Sequence, residues 1–370
     1  MGFSAGWNIA NVGAVASGIA GAYGVGLAAV ALFTTALFLT HMLMQLPAGR
    51  LSDRIGAARV CAAGLLALAV CNAAALVAAE PALGLAARAT MGIGTALAFI
   101  GGSDYVRATG GSPFAQGLYG GLATAGGGVA LAVVPLAEGL LGWRAPWVTA
   151  IGVAALAGLV LALSPRVAAP QRASTARPAI GTLVADARMR RLAVLFAGSF
   201  GLSVVIGNWV VTLLEDTTAL EASAAGAIGG ATLVLGVVSR PVGGWILRSH
   251  PTRVRGAIAV SALVGTLGTL ALTTGSVPLA IVGAVAVGLA AGIPFAAAFT
   301  GAAGLYPDAP ATAVGLINAT GALTVLLGAA VTGLAFQHDV GVEAFVLLAG
   351  LWAASAVALV RRSETAASVG

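Results

Sequence analysis

Gly49-Arg50-Leu51-Ser52-Asp53-Arg54-Ile55-Gly56-Ala57-Ala58-Arg59 is a charged island between two apolar runs at about 27–48 and 58–79. It gathers three arginines and an aspartate in a chain of 370 residues of which only 8% are charged. Charge so concentrated is costly inside hydrocarbon, so the island belongs at a membrane surface and the runs beside it belong inside the bilayer. Each run can cross the ~30 Å apolar core as a helix, which takes about 20 residues. Gly49 and Gly56 permit close helix contact and a tight turn. Asp53 is available to accept hydrogen bonds from helix ends or to pair with arginine, and the flanking arginines hold the segment on the cytoplasmic side.

The rest of the chain repeats this alternation. Hydrophobic residues make up 59% of it and the mean hydropathy is +1.02, whereas a soluble domain carries about 25% charged residues to cover its surface. Apolar runs fall at about 3–22, 27–48, 58–79, 82–105, 117–140, 146–164, 192–213, 224–246, 256–274, 278–300, 313–335 and 342–360. The expected fold class is therefore an all-α membrane protein of twelve transmembrane helices. The 53 glycines, many inside these runs, would weaken helices in water but let them approach closely in lipid. Met1 to Tyr23 has no basic leader and reads as the first span rather than a cleavable signal.

All 18 basic residues are arginine, and the sequence pI is about 10.3. The arginines lie between apolar runs rather than on one face, which argues for membrane orientation and against a nucleic-acid partner. With the N-terminus cytoplasmic, sixteen arginines fall on the inner side and only Arg88 and Arg144 on the outer. Both termini are thus expected in the cytoplasm, with the protein multi-pass in the cell's inner membrane. Cys61 and Cys71 lie ten residues apart in one run, about 15 Å along a helix. That is too far for a disulfide, so they read as packing residues.

The longest polar stretch, 165–191, is rich in Arg, Ala and Pro and reads as a cytoplasmic linker facing anionic lipid. It separates a six-helix half at 1–164 from a second at 192–360, followed by a tail at 361–370. A repeat supports the division: Pro47-Ala48-Gly49-Arg50-Leu51-Ser52-Asp53-Arg54 is echoed 194 residues on by Pro241-Val242-Gly243-Gly244-Trp245-Ile246-Leu247-Arg248. Gly117-Leu118 and Gly315-Leu316 are a weaker echo. Parallel six-helix repeats characterise one large class of transporters, whose substrate site lies between the halves near the midplane.

The Gly49–Arg59 island matches G-x-L-x-D-R-x-G-x-x-R and, in this position, resembles the loop 2–3 signature of the major facilitator superfamily. Arg88-x-x-x-Gly92-x-Gly94-x-Ala96 in the fourth span and Gly142-Trp143-Arg144 before the sixth resemble other features of that family. The resemblance implies two pseudo-symmetric six-helix bundles and a latch between the halves at the signature loop. In that reading Gly49, Asp53, Arg54, Gly56, Asp104, Arg107 and Arg240 are the gating candidates, with Asp104 either in a charge network with Arg54 or Asp53 or in a plain interfacial pair. The second copy has Leu247 in place of Asp53, so its latch lacks the acid. The fifth span has no G-P-x-x-G-G run, which counts against a drug/proton antiporter.

Ionisable and amide groups within lipid need partners or a wet cavity. Arg88 is read either as a cavity-facing cation that binds an anionic substrate or tunes proton coupling, or as a snorkelling interfacial residue. His41 is a candidate for proton coupling or a satisfied packing residue. Glu138, Glu215 and Asp216 end spans and read as solvated. Asn8, Asn11, Tyr119, Asn208, Trp209 and Asn318 lie in spans that line the cavity in the resembled family, so they are candidates for substrate contact or helix–helix glue. Pro294, in Gly292-Ile293-Pro294-Phe295, should kink the tenth span by freeing the carbonyl of residue 290. Phe295 and Phe299 serve as packing or contact.

No metal-ligand spacing, GxSxG or Walker loop is present, so no enzyme and no cofactor is expected. The expected function is secondary active transport of a small polar or anionic organic solute by alternating access, proton-linked and monomeric. The alternatives are a proton-driven exporter of drug-like compounds, and a transport-inactive sensor or assembly protein on the same fold.

Overall fold

The computed structural model describes residues 1–165 and 178–360. Every regular element among them is helical: α1 Gly2–Ala10, α2 Ala16–Tyr23, α3 Leu27–Ile55, α4 Ala57–Ala75, α5 Pro81–Ala108, α6 Pro113–Leu141, α7 Ala145–Leu163, α8 Ile180–Ala185, α9 Ala187–Phe196, α10 Leu202–Thr217, α11 Ala222–Val234, α12 Gly236–Ser249, α13 Val254–Leu272, α14 Val277–Gly292, α15 Pro294–Leu305, α16 Pro310–Gln337 and α17 Gly341–Val360. Among the described residues nine helical stretches are long and apolar enough to cross a membrane. One of them, Pro113–Leu163, runs for 51 residues and holds two expected spans. The first expected span is split into α1 and α2, and the last is the shorter apolar helix Gly341–Ser355. The other expected spans fall within the nine stretches.

Two compact units are distinguished, Met1–Gly111 with Leu122–Arg177 and Tyr306–Ala319, and Ser112–Gly121 with Pro178–Leu305 and Thr320–Gly370. Ser112–Gly121 is counted with the second of these units and Tyr306–Ala319 with the first. Residues 178–191 of the stretch read as a linker are described. Its last residues form α8 and the start of α9, where the Asp186 side chain caps α9 by accepting from the Arg188 N–H. Residues 166–177 and the tail at 361–370, including Arg166, Arg172, Arg177, Arg361 and Arg362, lie outside the described residues.

Packing in the first unit depends on small residues. A Cβ on Gly64 of α4 would sit 2.5 Å from the Ala98 amide nitrogen and 2.8 Å from the Gly94 carbonyl of α5. Helix backbones this close gain dispersion contacts that lipid tails cannot supply. Gly64→Val should therefore separate α4 from α5 and lower the melting temperature of the detergent-solubilised protein by roughly 5 °C or more, a cost of a few kcal/mol; an unchanged melting curve would refute this packing. Gly56 joins α3 to α4 with φ +95°, a conformation side-chain-bearing residues rarely adopt, so the signature's second glycine is required by geometry.

The apolar cluster of this unit includes Trp7, Ile19, Tyr23, Phe33, Leu37, Leu68, Met91 and Trp147. The second unit builds its own around Val205, Ile206, Val210, Leu214, Val287, Phe345 and Trp352. Large apolar side chains such as Leu66, Leu136 and Leu163 point outward, as lipid-facing residues do. Cys61 is buried, Cys71 half-buried, and both are free thiols.

Four breaks depart from continuous spans, one of them at Leu235 between α11 and α12. Between α1 and α2 the chain passes through a 3₁₀ turn at Gly13–Val15. A π-helical turn at Ala197–Gly201 separates α9 from α10. The tenth span breaks at Ile293, between α14 and α15, where Pro294 was expected to kink it. Pro47 in α3, Pro135 in α6 and Pro241 in α12 stay inside their helices.

Candidate functional site

In the first unit, the break after α1 is where polar groups collect. Asn11 makes three bonds there. Its Oδ1 accepts from the Val12 amide at 2.9 Å and from Arg88 Nη1 at 3.2 Å, while its Nδ2 donates to the Pro146 carbonyl at 2.8 Å. A side chain that bonds its neighbour's backbone competes with the helix ladder, which accounts for the break. Arg88 Nη1 also donates to the Asn8 carbonyl at 2.7 Å, and Nε donates to the Phe33 carbonyl at 3.4 Å. Asn72 donates to Asn8 Oδ1 at 2.8 Å.

Arg88 is 0% exposed, so it does not snorkel. No carboxylate lies within ion-pair distance of it among the described residues, whose ion pairs are Arg107–Asp104 and Arg188–Asp186. Its Nη2 has no hydrogen-bond partner. A buried guanidinium held by neutral acceptors keeps its charge uncancelled, and that is a strong local attraction for an anion.

His41 of α3 is also buried in this unit. Its Nδ1 lies 2.9 Å from Thr95 Oγ1 of α5, and its Nε2 lies 2.6 Å from Gln45 Nε2.

Further along α3, Asp53 meets the beginning of α16. Its carboxylate accepts from the Ala311 amide at 2.9 Å, the Thr312 amide at 2.8 Å and the Thr312 hydroxyl at 2.5 Å. The first N–H groups of a helix have no intrahelical partner, and the helix dipole favours negative charge there. Gly49 makes the approach possible, since a Cβ on it would lie 2.3 Å from the Ala311 carbonyl oxygen.

The sequence suggests a network of Asp104 with Arg54 or Asp53, but Asp104 bonds other partners. It accepts from Ser52 Oγ at 2.7 Å and forms an ion pair with Arg107 at 2.6 Å. Arg54 is exposed and has no ion pair among the described residues. Asp104 is thus in a local pair with Arg107, and no hydrogen bond or ion pair joins it to Arg54 or Asp53 among the described residues. The reason is geometric: Asp53 is already engaged by α16, and Ser52 is the α3 residue turned toward α5. Asn318 is buried on α16. Glu138 is half-buried, with its carboxylate against Gly18 of α2.

In the second unit Arg240 of α12 is buried. Its Nη1 donates to the Gly120 carbonyl of α6 at 2.6 Å, and its guanidinium lies over the rings of Phe295 and Phe200 at 4.7 and 5.3 Å. Phe200 is presented by the π-helical turn, a device frequent at functional sites. Gly117 of α6 and Gly243 and Gly244 of α12 abut backbone directly. The repeat therefore keeps its glycine contacts, while at Leu247 the carboxylate is missing, and a guanidinium-to-carbonyl bond joins α12 to α6 instead. Tyr119 is buried on α6. Trp209 donates to the Ala329 carbonyl at 2.9 Å and stacks on Phe336, which is packing. Asn208, Glu215 and Asp216 are exposed.

The structure thus brings Asn8, Asn11 and Arg88 together and leaves Asn208 and Arg54 apart from any cluster. It adds residues that spacing did not single out: Asn72, Thr95 and Gln45, Ser52 and Thr312, Gly120 and Phe200. A lone amide or hydroxyl inside an apolar run was the only signal for Asn72 and Thr95.

A model of the family described as Major Facilitator Superfamily matches residues 1–329. Among solved structures, that of the E. coli fucose:proton symporter FucP (N162A) is similar over 98% of this chain and 97% of its own, with TM-score 0.73 and 13% identity. FucP in the outward conformation has the same coverage, TM-score 0.75 and 14% identity. The human organic anion transporter MFSD10 (TETRAN) is similar over 93% of this chain and 88% of its own, with TM-score 0.73 and 19% identity. At these identities the likeness is one of fold. No curated protein sequence matches.

Proposed function

This chain belongs to the Major Facilitator Superfamily, and we propose that within it the protein is a secondary active, proton-linked carrier of a small anionic or polar organic solute. Family membership makes it a multi-pass membrane transporter of small molecules and not an enzyme. The finer reading rests on one observation: Arg88 is fully buried, no carboxylate neutralises it among the described residues, and one of its nitrogens has no partner. A fixed cation in a low-dielectric interior favours an anion over a neutral solute of the same shape.

The neighbours of similar fold support both parts of the reading in kind, one being a fucose:proton symporter and another an organic anion transporter. The reading keeps both termini in the cytoplasm of the cell's inner membrane, with the halves 1–164 and 192–360 as moving parts of an alternating-access cycle. The Asp53 hold on α16 and the Arg240 hold on α6 are proposed as the contacts that form and release in each cycle.

The test is uptake of labelled gluconate, lactate and L-fucose into proteoliposomes with and without an imposed pH gradient. The expected result is gradient-driven uptake of at least one sugar acid or hydroxy acid, abolished by a protonophore. Uptake of neutral L-fucose alone would overturn the anionic reading, and uptake indifferent to the gradient would overturn proton linkage.

A further inference from the structure

Two contacts bear on where the proton of His41 sits. Thr95 Oγ1 lies 2.9 Å from the Gly92 carbonyl and 2.9 Å from His41 Nδ1; with its one proton given to Gly92, the hydroxyl oxygen accepts from the ring. Gln45 Nε2 is placed 2.6 Å from His41 Nε2, and an amide NH₂ there requires a bare ring nitrogen. This arrangement is that of a neutral ring with its proton on Nδ1, and the other tautomer belongs to the opposite turn of the Gln45 amide. The same arrangement leaves Gln45 Oε1 buried without a partner.

We propose that Gln45 and Thr95 make His41 a one-proton switch whose charging requires the Gln45 amide to turn over. A proton added at Nε2 meets the Gln45 NH₂ group head on, two donors facing each other. Half a turn of the amide puts Oε1 opposite Nε2–H, and the acceptor that had no partner gains one. Thr95 accepts from Nδ1–H in both states, so it holds the ring in place while Gln45 changes. Thr95 and Gln45 are positioning residues, and the proton resides on His41.

Gln45 lies where this turn can be transmitted. In the first unit α16 crosses α3 at this level, so closely that a Cβ on Gly315 would sit 2.4 Å from the Gln45 carbonyl oxygen. Asp53, which holds the start of α16, lies eight residues further along α3, about 12 Å. A proton at His41 and the hold on α16 thus share one helix and one crossing.

The ring's hydrogen-bond partners are uncharged. Of the elements against α3, α5 carries Arg88, Asp104, Tyr105 and Arg107, α4 carries Arg59, Cys61 and Cys71, α2 carries Tyr23, and α16 carries no ionisable residue. α3 itself adds Arg50, Asp53 and Arg54. Among the described residues the hydrogen bonds of His41 go to Thr95 and Gln45. The switch depends on the proton-linked reading only for its use in transport; the tautomer assignment is independent of it.

The test is ¹⁵N NMR of histidine-labelled full-length protein in nanodiscs. His250 and His338, the other two histidines, are replaced by Asn so that His41 is read alone. At alkaline pH the expected spectrum is that of the Nδ1–H tautomer. In Gln45→Glu a permanent acceptor faces Nε2, so the doubly protonated signal should persist to higher pH by at least one unit. Gln45→Leu, which offers neither donor nor acceptor, should let the Nε2–H tautomer appear. An Nε2–H tautomer in the unsubstituted protein, or spectra unmoved by both Gln45 variants, would overturn the proposal. Gradient-driven gluconate uptake by the same variants reports on coupling separately. A switch seen by NMR with uptake indifferent to pH would remove the proton-linked reading and leave the tautomer assignment standing.

Discussion

Asp53→Asn is expected to cut transport at least tenfold while the protein still inserts and folds. The carboxylate accepts two backbone N–H groups and one hydroxyl from the first turn of α16. Both of its oxygens are used, and bonds to a charged acceptor are roughly twice as strong as neutral ones. An amide has one oxygen to offer and sets its NH₂ against a helix end that already presents donors. It also removes the negative charge that the helix dipole favours, worth about 0.3–2 kcal/mol. A total of about 2–3 kcal/mol is thereby lost from a contact proposed to be made in one state of the cycle and released in another. That shifts the balance of the states by roughly 30- to 150-fold. Thr312→Val, which deletes only the hydroxyl bond, should cost about threefold to tenfold, in line with one hydrogen bond of about 1 kcal/mol. Initial uptake rates normalised to the amount of folded protein decide the matter. Equal rates for Asp53→Asn and the unsubstituted protein would remove the latch role.

The parts of this structure that a sequence could declare are those set by local composition. Apolar length and the arginine island at Gly49–Arg59 specify spans and surface, because lipid punishes charge wherever it falls. Asp53 could be chosen in advance as an acceptor, but its partner Thr312 could not. Only the crossing of α3 and α16 makes that residue the recipient's neighbour. The break at Asn11 is hidden for the same reason: two of its three bonds go to Arg88 and Pro146, which are remote in sequence. Arg88 near a span end reads equally well as a snorkelling side chain, and burial is a property of the helices around it. Within the stretch read as a linker, 180–185 is helical, which its Arg, Ala and Pro content did not announce. For His41, sequence shows a titratable group in a span, while the direction of its hydrogen bonds follows from Thr95, a helix away.

Arg88→Leu is expected to abolish uptake of the anionic solute, at least a hundredfold, without lowering thermal stability. The two halves of that expectation have separate causes. A buried charge without a counter-ion carries a desolvation cost of several kcal/mol, and replacing it by an apolar side chain of similar volume is often neutral or stabilising. The acceptors left behind are two carbonyls, of Asn8 and Phe33, and Asn11 Oδ1, which still accepts from Val12. The structural loss is therefore modest. The loss of attraction is not, because a charge-assisted hydrogen bond of about 3 kcal/mol is worth more than a hundredfold in binding. Arg88→Lys keeps the charge but cannot reach Asn8 and Asn11 while offering a second nitrogen, so it should restore some anion uptake and stay well below the unsubstituted protein. A neutral sugar serves as the internal control. If any neutral solute is carried, its uptake should fall far less than that of the sugar acid in Arg88→Leu. Parallel loss of both would mean that Arg88 only braces the α1 break, and a steep drop in melting temperature would say the same.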